Sequence, residues 1–479
     1  MRGIVMNEKL QIAFGLLGGL AIFIYGMNMM SECLQKAAGE KMKSILALLT
    51  KNPLLGVLAG AVTTAVLQSS SATTVMAIGF VSAGLMSLPQ AISIIFGANI
   101  GTTMTAQIIA FKISDYIYII IFIGFIIAFV TKSEKIKSIG QTIFAFGLLF
   151  LGIETMGDVM KPLASSQVFT DLIGKVAHIP ILGVGVGTLM TLVVQSSSAT
   201  IAVLQNFAAQ PGADGMTSIL GLAGAIPILL GDNIGTTITA LLASIGQSKD
   251  AKRTAVAHCI FNISGCFLFI WFVKPFAALI QYISQKGPEI EVISRQIANA
   301  HTVFNITMTL IWVCLINVMV KIVMTLIPDG KSKEIDPARP LYLDEKIINQ
   351  PTAALQLVAK EILHLSDMVK EAVKDTISIV KTEETSRMNA LTEKGHQIKT
   401  LADRITEYLA LLFSSGTMTE QQASQTASLM YVLSDVERIG TLSVEIAGCI
   451  KEKADHQYKY TEEAMDELQK SLKTLEKMF

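Results

Sequence analysis

The chain has 479 residues and a formal net charge of zero, from 38 basic and 38 acidic side chains. Hydrophobic residues make up 51% of it and charged residues only 16%, against about 25% charged residues in globular domains. Residues 1–330 hold 33 of the charged side chains, and residues 331–479 hold 43. These values exclude a single-core soluble enzyme, a secreted protein, and a protein drawn to nucleic acid by its overall charge.

The first 330 residues contain seven apolar stretches of about the length of a membrane-spanning helix. A helix rises 1.5 Å per residue, so about 20 residues cross a hydrocarbon core of ~30 Å. We predict spans at 10–30, 90–110, 115–131, 140–160, 218–245, 254–275 and 301–327. The expected fold is an all-α polytopic membrane domain over 1–330.

Two further pairs of apolar segments are each too short to span, and a polar Gln-Ser-Ser-Ser motif divides each pair. The pairs are 53–67 with 72–86, divided at 68–71, and 181–194 with 199–209, divided at 195–198. Polar backbone at membrane depth is tolerated where protein or a water-filled cavity surrounds it. We therefore predict two re-entrant helical hairpins with polar tips.

The two halves of this domain are related by an internal repeat. Gln-Ser-Ser-Ser-Ala-Thr recurs 127 residues later, Phe-Gly-Leu-Leu at 14–17 recurs at 146–149, and Asn-Ile-Gly-Thr-Thr at 99–103 recurs at 233–237. We predict repeats over about 10–131 and 140–253, followed by two further helices. Such repeats are typical of secondary transporters.

Lysine and arginine counts predict the orientation. If the N-terminus lies outside, the cytoplasmic segments 31–52, 132–139 and 246–253 hold ten basic residues, and the longer outer segments hold seven. This bias agrees with the positive-inside rule. With seven crossings, the two hairpins enter from opposite sides, which makes the repeats inverted, and the charged tail lies in the cytoplasm.

The tips have the chemistry of an ion site. A new helix follows each motif, and its N-terminus offers unpaired N–H groups and a partial positive charge that suit an oxyanion. Serine hydroxyls can donate to such an anion, and the same oxygens can ligate Na⁺. The alternative is that serine-rich helices simply pack closely in the membrane, but this is less plausible for two identical motifs.

The Asn-Ile-Gly-Thr-Thr motifs predict unwound stretches within crossing helices, where glycine permits the break and asparagine and threonine supply oxygens. Within them, Thr102 and Thr236 are possible Na⁺ ligands. The second copy adds a carboxylate, since Ala98 is replaced by Asp232. A carboxylate within a membrane is costly, which indicates a Na⁺ ligand or a proton-coupling site. The alternative is a solvated acid near a helix end.

The histidine–asparagine pairs at 258 and 262 and at 301 and 305 share a helix face. A role in fastening helices together is favoured for them over a role in the site.

With these motifs together, the chain resembles the sodium/phosphate cotransporter family (type II, bacterial branch) over about 10–327. The resemblance implies that the two tips line the substrate and sodium sites. The residues that it indicates are Gln68, Ser69, Ser70, Ser71, Gln195, Ser196, Ser197 and Ser198, with Thr73, Thr200, Asn99 and Asn233 as weaker candidates from the surrounding helices.

Residues 341–479, after a linker at 331–340, predict long amphipathic helices at 350–381, 384–413, 418–453 and 459–478. The stretch 434–442 resembles the signature of PhoU-like domains, which are regulatory partners of phosphate transport. Those domains often bind metal through acidic pairs four residues apart, but here Thr441 follows Glu437 at that spacing. The alternative is a plain helical interaction module.

We therefore expect a membrane transporter that moves inorganic phosphate with Na⁺, with no enzyme activity, no covalent cofactor and no nucleic-acid partner. The alternatives are a phosphate exporter, a transporter of another oxyanion, and a membrane phosphate sensor that signals through the tail. A homodimer and a cytoplasmic regulatory partner bound through 341–479 are left open.

Overall fold

The computed structural model describes residues 8–38, 52–111, 113–164, 179–212, 214–329, 338–382, 385–456, 458 and 461–478. Apart from an isolated β-bridge between Pro211 and Ser218, the regular elements in these ranges are helices, which confirms the predicted all-α class. The chain forms two compact units, Met1–Asp329 and Gly330–Phe479.

The first unit contains thirteen described α-helices. They are α1 (Glu8–Ala38), α2 (Pro53–Leu67), α3 (Ser70–Ser82), α4 (Leu88–Ile109), α5 (Ile117–Val130), α6 (Glu134–Ala164), α7 (Pro180–Val194), α8 (Ser197–Ala208), α9 (Gly221–Ser244), α10 (Lys249–Ile270), α11 (Val273–Ile283), α12 (Glu289–Cys314) and α13 (Ile316–Leu326).

Six of these helices are long and apolar enough to cross a membrane: α1, α4, α6, α9, α10 and α12. The prediction was wrong about the span at 115–131, because α5 has 14 residues and reaches only about 21 Å. It was also wrong about the bounds of the last span at 301–327, since α12 runs from Glu289 to Cys314 and the residues after it form the separate short helix α13. The polar residues in its first turns lower the local hydropathy but are paired, as Arg295 is with Gln107.

The two predicted hairpins are α2–α3 and α7–α8. Each begins with a proline in the first turn of a 15-residue helix, where the missing N–H costs no hydrogen bond. The glutamine of each motif directly follows the first helix as its C-cap, and the second serine of the motif already begins the next helix. The tips are therefore tighter than the sequence indicated, with only the glutamine and the first serine of each motif between two helices.

The first helix of each hairpin packs tightly on a long neighbour, α2 on α4 and α7 on α9. A Cβ atom at Gly97 would lie 1.9 Å from the Val57 carbonyl oxygen, and one at Gly231 would lie 2.1 Å from that of Val184. Small residues allow such close contact between helices in membranes. The repeat seen in the sequence is thus also a repeat of helix packing.

The predicted unwinding at Asn-Ile-Gly-Thr-Thr was wrong, because α4 and α9 run through both motifs without a break. The asparagine and first threonine side chains bond back to carbonyls four residues earlier: Asn99 to Ile95 at 3.1 Å and Asn233 to Leu229 at 2.9 Å. The glycines next to these motifs serve close packing.

The end of the first unit is fastened to the start of α10. The Arg253 guanidinium, almost fully buried, donates through two nitrogens to the Ile327 carbonyl, at 2.9 and 2.7 Å. It also pairs with Asp250 at 2.7 Å and with Asp329 at 2.6 Å. The segment after α13 is thereby held in place up to the end of this unit.

The second unit contains four described α-helices: α14 (Pro351–Thr382), α15 (Met388–Ser414), α16 (Glu420–Asp455) and α17 (Glu462–Met478). Helices α14, α15 and α16 pack on one another, and α17 packs on α14. Glu361 lies within α14, and its buried carboxylate accepts the backbone N–H groups of Leu341, Tyr342 and Leu343. These bonds fix the segment that precedes the helix. The bounds agree closely with the predicted amphipathic segments.

Candidate functional site

A cavity of about 220 Å³ lies between the two hairpin tips. This is below the ~300–1,000 Å³ of sites for drug-sized molecules, and so favours a small ligand. It brings together all eight residues of the two motifs: Gln68, Ser69, Ser70, Ser71, Gln195, Ser196, Ser197 and Ser198. Helix α1 and the end of α7 contribute Ile24, Met27, Asn28, Ser31 and Val194.

The two tips have nearly the same backbone. Gln68 and Gln195 adopt the left-handed conformation, with φ of 52° and 53°, and they are the described non-glycine residues with positive φ. This conformation is uncommon for residues with a Cβ and reverses the chain within one residue. The next serine caps the new helix: Ser69 Oγ accepts the N–H of Ala72 at 3.2 Å, and Ser196 Oγ accepts that of Ala199 at 3.3 Å.

These caps direct two helix N-termini into one cavity. Each cap uses one N–H group, while the first N–H groups of each helix have no partner within the helix. Backbone N–H groups at a helix N-terminus form a ready anion site, to which the partial positive charge of the helix adds. The described residues that line the cavity carry no charged side chain. The cavity thus presents neutral donors and two helix dipoles.

The two tips differ in how their glutamines are held. Gln68 is buried, its amide nitrogen donates to the Ala65 carbonyl, and its amide oxygen accepts from Thr105 at 3.1 Å. The side chain of Gln195 is exposed and makes no hydrogen bond to a described residue. Sequence symmetry predicts equivalent roles, but the Gln68 side chain is held by hydrogen bonds to described residues and the Gln195 side chain is not.

Thr73 and Thr200 lie one turn inside the second helix of each hairpin. Thr64 donates to Thr73 at 2.8 Å, and its counterpart Thr191 lies 3.0 Å from Thr200. In the second repeat only, Thr191 also donates to Asp232 Oδ1 at 2.6 Å. Asp232 is fully buried, so the alternative of a solvated acid near a helix end is wrong.

The remaining predicted residues do not line the cavity. Thr102 and Thr236 hydroxyls donate to carbonyls four residues earlier, at 3.1 and 2.9 Å. Asn99 and Asn233 are contacted by the histidine–asparagine helices: His258 Nε2 lies 3.3 Å from Asn99 Oδ1, and Asn305 Nδ2 lies 3.5 Å from Asn233 Oδ1. These contacts fasten α10 to α4 and α12 to α9, as the structural interpretation of these pairs predicts.

Two cavity residues, Asn28 and Ser31 of α1, are absent from the sequence prediction. The signal for them was available, because they are polar residues three positions apart at the end of an apolar stretch. Ser31 Oγ donates to the carbonyl of Leu67, the last residue of α2. Helix α1 therefore holds the first tip and contributes to the cavity.

Comparison with known proteins agrees with this geometry. Two segments that together cover more than half of the chain, 22–158 and 155–285, match the Na+/Pi-cotransporter family. The chain belongs to this family. The two matched segments contain one Gln-Ser-Ser-Ser motif each.

Individual proteins are also similar to this chain. "Uncharacterized protein YqeW" of Bacillus subtilis is 33% identical over 309 residues, which are 64% of this chain and 96% of the relative. "Putative inorganic phosphate export protein YjbB" of Salmonella typhimurium is 23% identical over 459 residues, 95% of this chain and 81% of the relative. "Sodium-dependent phosphate transport protein 2A" of Rattus norvegicus is 36% identical over 97 residues, 20% and 15% of the two chains.

The tail matches the PhoU domain over residues 362–450. No solved structure matches the chain. With its apolar helices and its family, this Na+/Pi-cotransporter family member is a multi-pass membrane protein of phosphate transport. Among the residues that the structure describes, no group of three His, Cys, Asp or Glu side chains could hold a metal ion.

Proposed function

We propose that this protein moves inorganic phosphate across the membrane together with Na⁺, by alternating access of the cavity between the two tips. The observation that supports it most directly is the pair of serine-capped helix N-termini at one neutral cavity. Phosphate oxygens accept hydrogen bonds from these N–H groups and serine hydroxyls. No covalent step is needed for such a cycle.

The neutral lining gives Na⁺ a physical role. Each helix N-terminus supplies about half a positive charge, so two of them offset roughly one negative charge of a phosphate mono- or dianion. A cation that enters with the anion reduces the cost of burying the remaining negative charge. Asp232 Oδ2 is buried and has no hydrogen-bond partner among the described residues, and hard oxygen atoms of this kind ligate Na⁺. Asp232 is therefore the first Na⁺ ligand to test.

Two alternatives use the same cavity. Export is favoured by the name of the YjbB relatives, and the direction of a coupled carrier follows the gradients across the membrane. A sensor that binds phosphate and signals through the tail would keep the hairpins but transport little. Another oxyanion would use the same donors with a different selectivity.

A flux assay separates these functions. Purified protein in proteoliposomes with labelled phosphate is expected to accumulate it when Na⁺ is high outside and not when K⁺ replaces Na⁺. Efflux from loaded vesicles under the reversed gradient measures export. Phosphate binding without flux in either direction would favour the sensor, and flux that is indifferent to Na⁺ would exclude symport.

Substitution at the tips tests the site. Ser70 and Ser197 open the two cavity helices, so the double variant Ser70→Ala with Ser197→Ala is expected to abolish flux while the protein still assembles. Thr155→Ala is a matched control, because the Thr155 hydroxyl bonds only within α6 to the Leu151 carbonyl, at 2.7 Å. Wild-type flux in the double variant would show that the tip serines are not needed for transport.

We further propose that the PhoU-like tail is a cytoplasmic regulatory unit. A chain ended after Gly330 is expected to assemble and transport, with altered control of the rate. Loss of assembly in the shortened protein would instead make the tail structural.

A further inference from the structure

Helix α1 presents Asn28 to the cavity, and two contacts fix its position there. At Gly26 the helix lies so close to α6 that a Cβ atom would be 2.8 Å from the Leu149 nitrogen. At Ser31 it is bonded to the last carbonyl of α2. Asn28 lies between these two points, lines the cavity, and its amide has no hydrogen-bond partner among the described residues.

Gln68 is poorly suited to bind the ligand that its motif predicts. Its amide nitrogen is engaged by the Ala65 carbonyl and its oxygen by Thr105. One N–H of the amide and its oxygen are therefore already engaged, and turning the amide fully toward an anion would break both bonds at a buried position. The amides that the cavity leaves free are Asn28 and Gln195.

We propose that Asn28, in place of Gln68, is the amide partner of Gln195 and helps to select a protonated oxyanion; this rests on the phosphate function proposed above. An amide donates through its nitrogen to an anionic oxygen and accepts an O–H at its oxygen. At neutral pH hydrogen phosphate carries an O–H and sulfate carries none. Sulfate would leave the amide oxygen unpaired, and a site built around a substrate hydroxyl rejects analogues without it.

The internal repeat has no second copy of Asn28, so this residue is specific to the first half. In the register of the repeated Phe-Gly-Leu-Leu motif, offset by 132 residues, the counterpart of Asn28 on α6 is Met160. Met160 does not line the cavity. The selectivity of the site thus comes from an asymmetric residue, which sequence symmetry cannot indicate.

The test is phosphate uptake and its inhibition by sulfate in proteoliposomes of the full-length protein. Asn28→Leu keeps the size of the side chain and removes both hydrogen bonds, so KM for phosphate is expected to rise about 10- to 100-fold while kcat changes little. Inhibition by sulfate, relative to phosphate, is expected to strengthen. Asn28→Gln keeps the amide and is expected to retain most of the discrimination against sulfate.

Tyr25→Leu is the control, because Tyr25 lies one turn earlier on α1, is exposed and does not line the cavity. An Asn28→Leu protein with wild-type KM and wild-type sulfate inhibition would overturn the proposal for Asn28 alone. Equal loss of discrimination in Asn28→Gln and Asn28→Leu would also overturn it. A wild-type protein that neither binds nor moves phosphate would overturn the proposed function, and the role of Asn28 with it.

Discussion

Thr191 donates to the Asp232 carboxylate at 2.6 Å, and its repeat counterpart Thr64 has no such partner, because Ala98 stands where the acid would be. Both repeats keep the threonine pair beside the tip, Thr64 with Thr73 and Thr191 with Thr200. The second repeat alone adds a buried charge-bearing group. The two halves share a scaffold but not the same ion chemistry.

Replacement of Asp232 tests its role in Na⁺ coupling. In Asp232→Asn the shape and the contact with Thr191 remain, but one anionic ligand is lost. A hydrogen bond or ligand contact to a charged group is worth about 1.5–3 kcal/mol, so the Na⁺ concentration for half-maximal uptake is expected to rise about tenfold or more. The measurement is phosphate uptake as a function of Na⁺.

Asp214→Asn is the matched control for this substitution. Asp214 lies in the loop between α8 and α9, where hydrogen bonds from Thr217 and Met216 lower its pKa to about 2. It is therefore ionised throughout the assay, and its replacement also removes one charge. Identical Na⁺ curves for Asp232→Asn and wild type would show that Asp232 does not ligate the coupling ion.

Two glycines of α7 provide a test of hairpin packing. A Cβ atom at Gly187 would lie 1.9 Å from the Ile228 carbonyl oxygen, whereas one at Gly185 meets no atom within 4 Å. Gly187→Ala is expected to force α7 away from α9 and to reduce folded protein severely. Gly185→Ala, two residues away, is expected to be neutral or to stabilise by about 0.5–1 kcal/mol. Fluorescence-detected size exclusion compares them, and equal yields would contradict the packing argument.

Removal of the Arg253 side chain is expected to release the end of the first unit. Arg253→Met keeps apolar volume but loses the bonds to Ile327, Asp250 and Asp329. We expect a cost of about 2–4 kcal/mol, because the Ile327 carbonyl loses its donors. Thermal melting in detergent measures it, with Lys252→Met, which removes a neighbouring exposed charge, as the control. A melting temperature equal to that of the control would contradict the anchoring role.

The tail offers a pH-dependent test at Asp344. Burial raises the pKa of its carboxyl, although the Lys346 N–H opposes this shift. The folded tail then binds more protons than the unfolded chain, so its free energy of unfolding is expected to fall as the pH rises above about 4. Hydrogen exchange of residues 341–347, corrected for intrinsic rates, measures this fall. In Asp344→Asn the slope is expected to vanish, and a slope that persists would assign it to another group.

Much of the fold was predictable because its signals are local. Paired motifs, prolines at helix starts and amphipathic spacing place the hairpins and the tail helices within a few residues. The unwinding at Asn-Ile-Gly-Thr-Thr was predicted wrongly, because glycine permits both a break and close helix contact. Whether a glycine serves a break or a close contact depends on the neighbouring helix, and at Gly97 the close approach of α2 shows that it serves contact.

The site was predictable in part. The tips meet at one cavity as their repetition indicated, but the engagement of Gln68 by Thr105 joins residues 37 positions apart, and no local pattern reports it. Asn28 lies on a helix outside the motifs; its polar spacing with Ser31 was visible in the sequence, but its approach to the hairpin tips was not. Residues that act through distant contacts are visible only once the helices are assembled.

The differences between the halves bear on how such a protein can evolve. A chain built from two copies of the first half would have two restrained tips and no buried acid, since Gln68 is tethered and Ala98 is apolar. Two copies of the second half would lack the amide that α1 brings. Because each half supplies a group that the other lacks, neither half could replace the other without loss of part of the site, so both must be retained together.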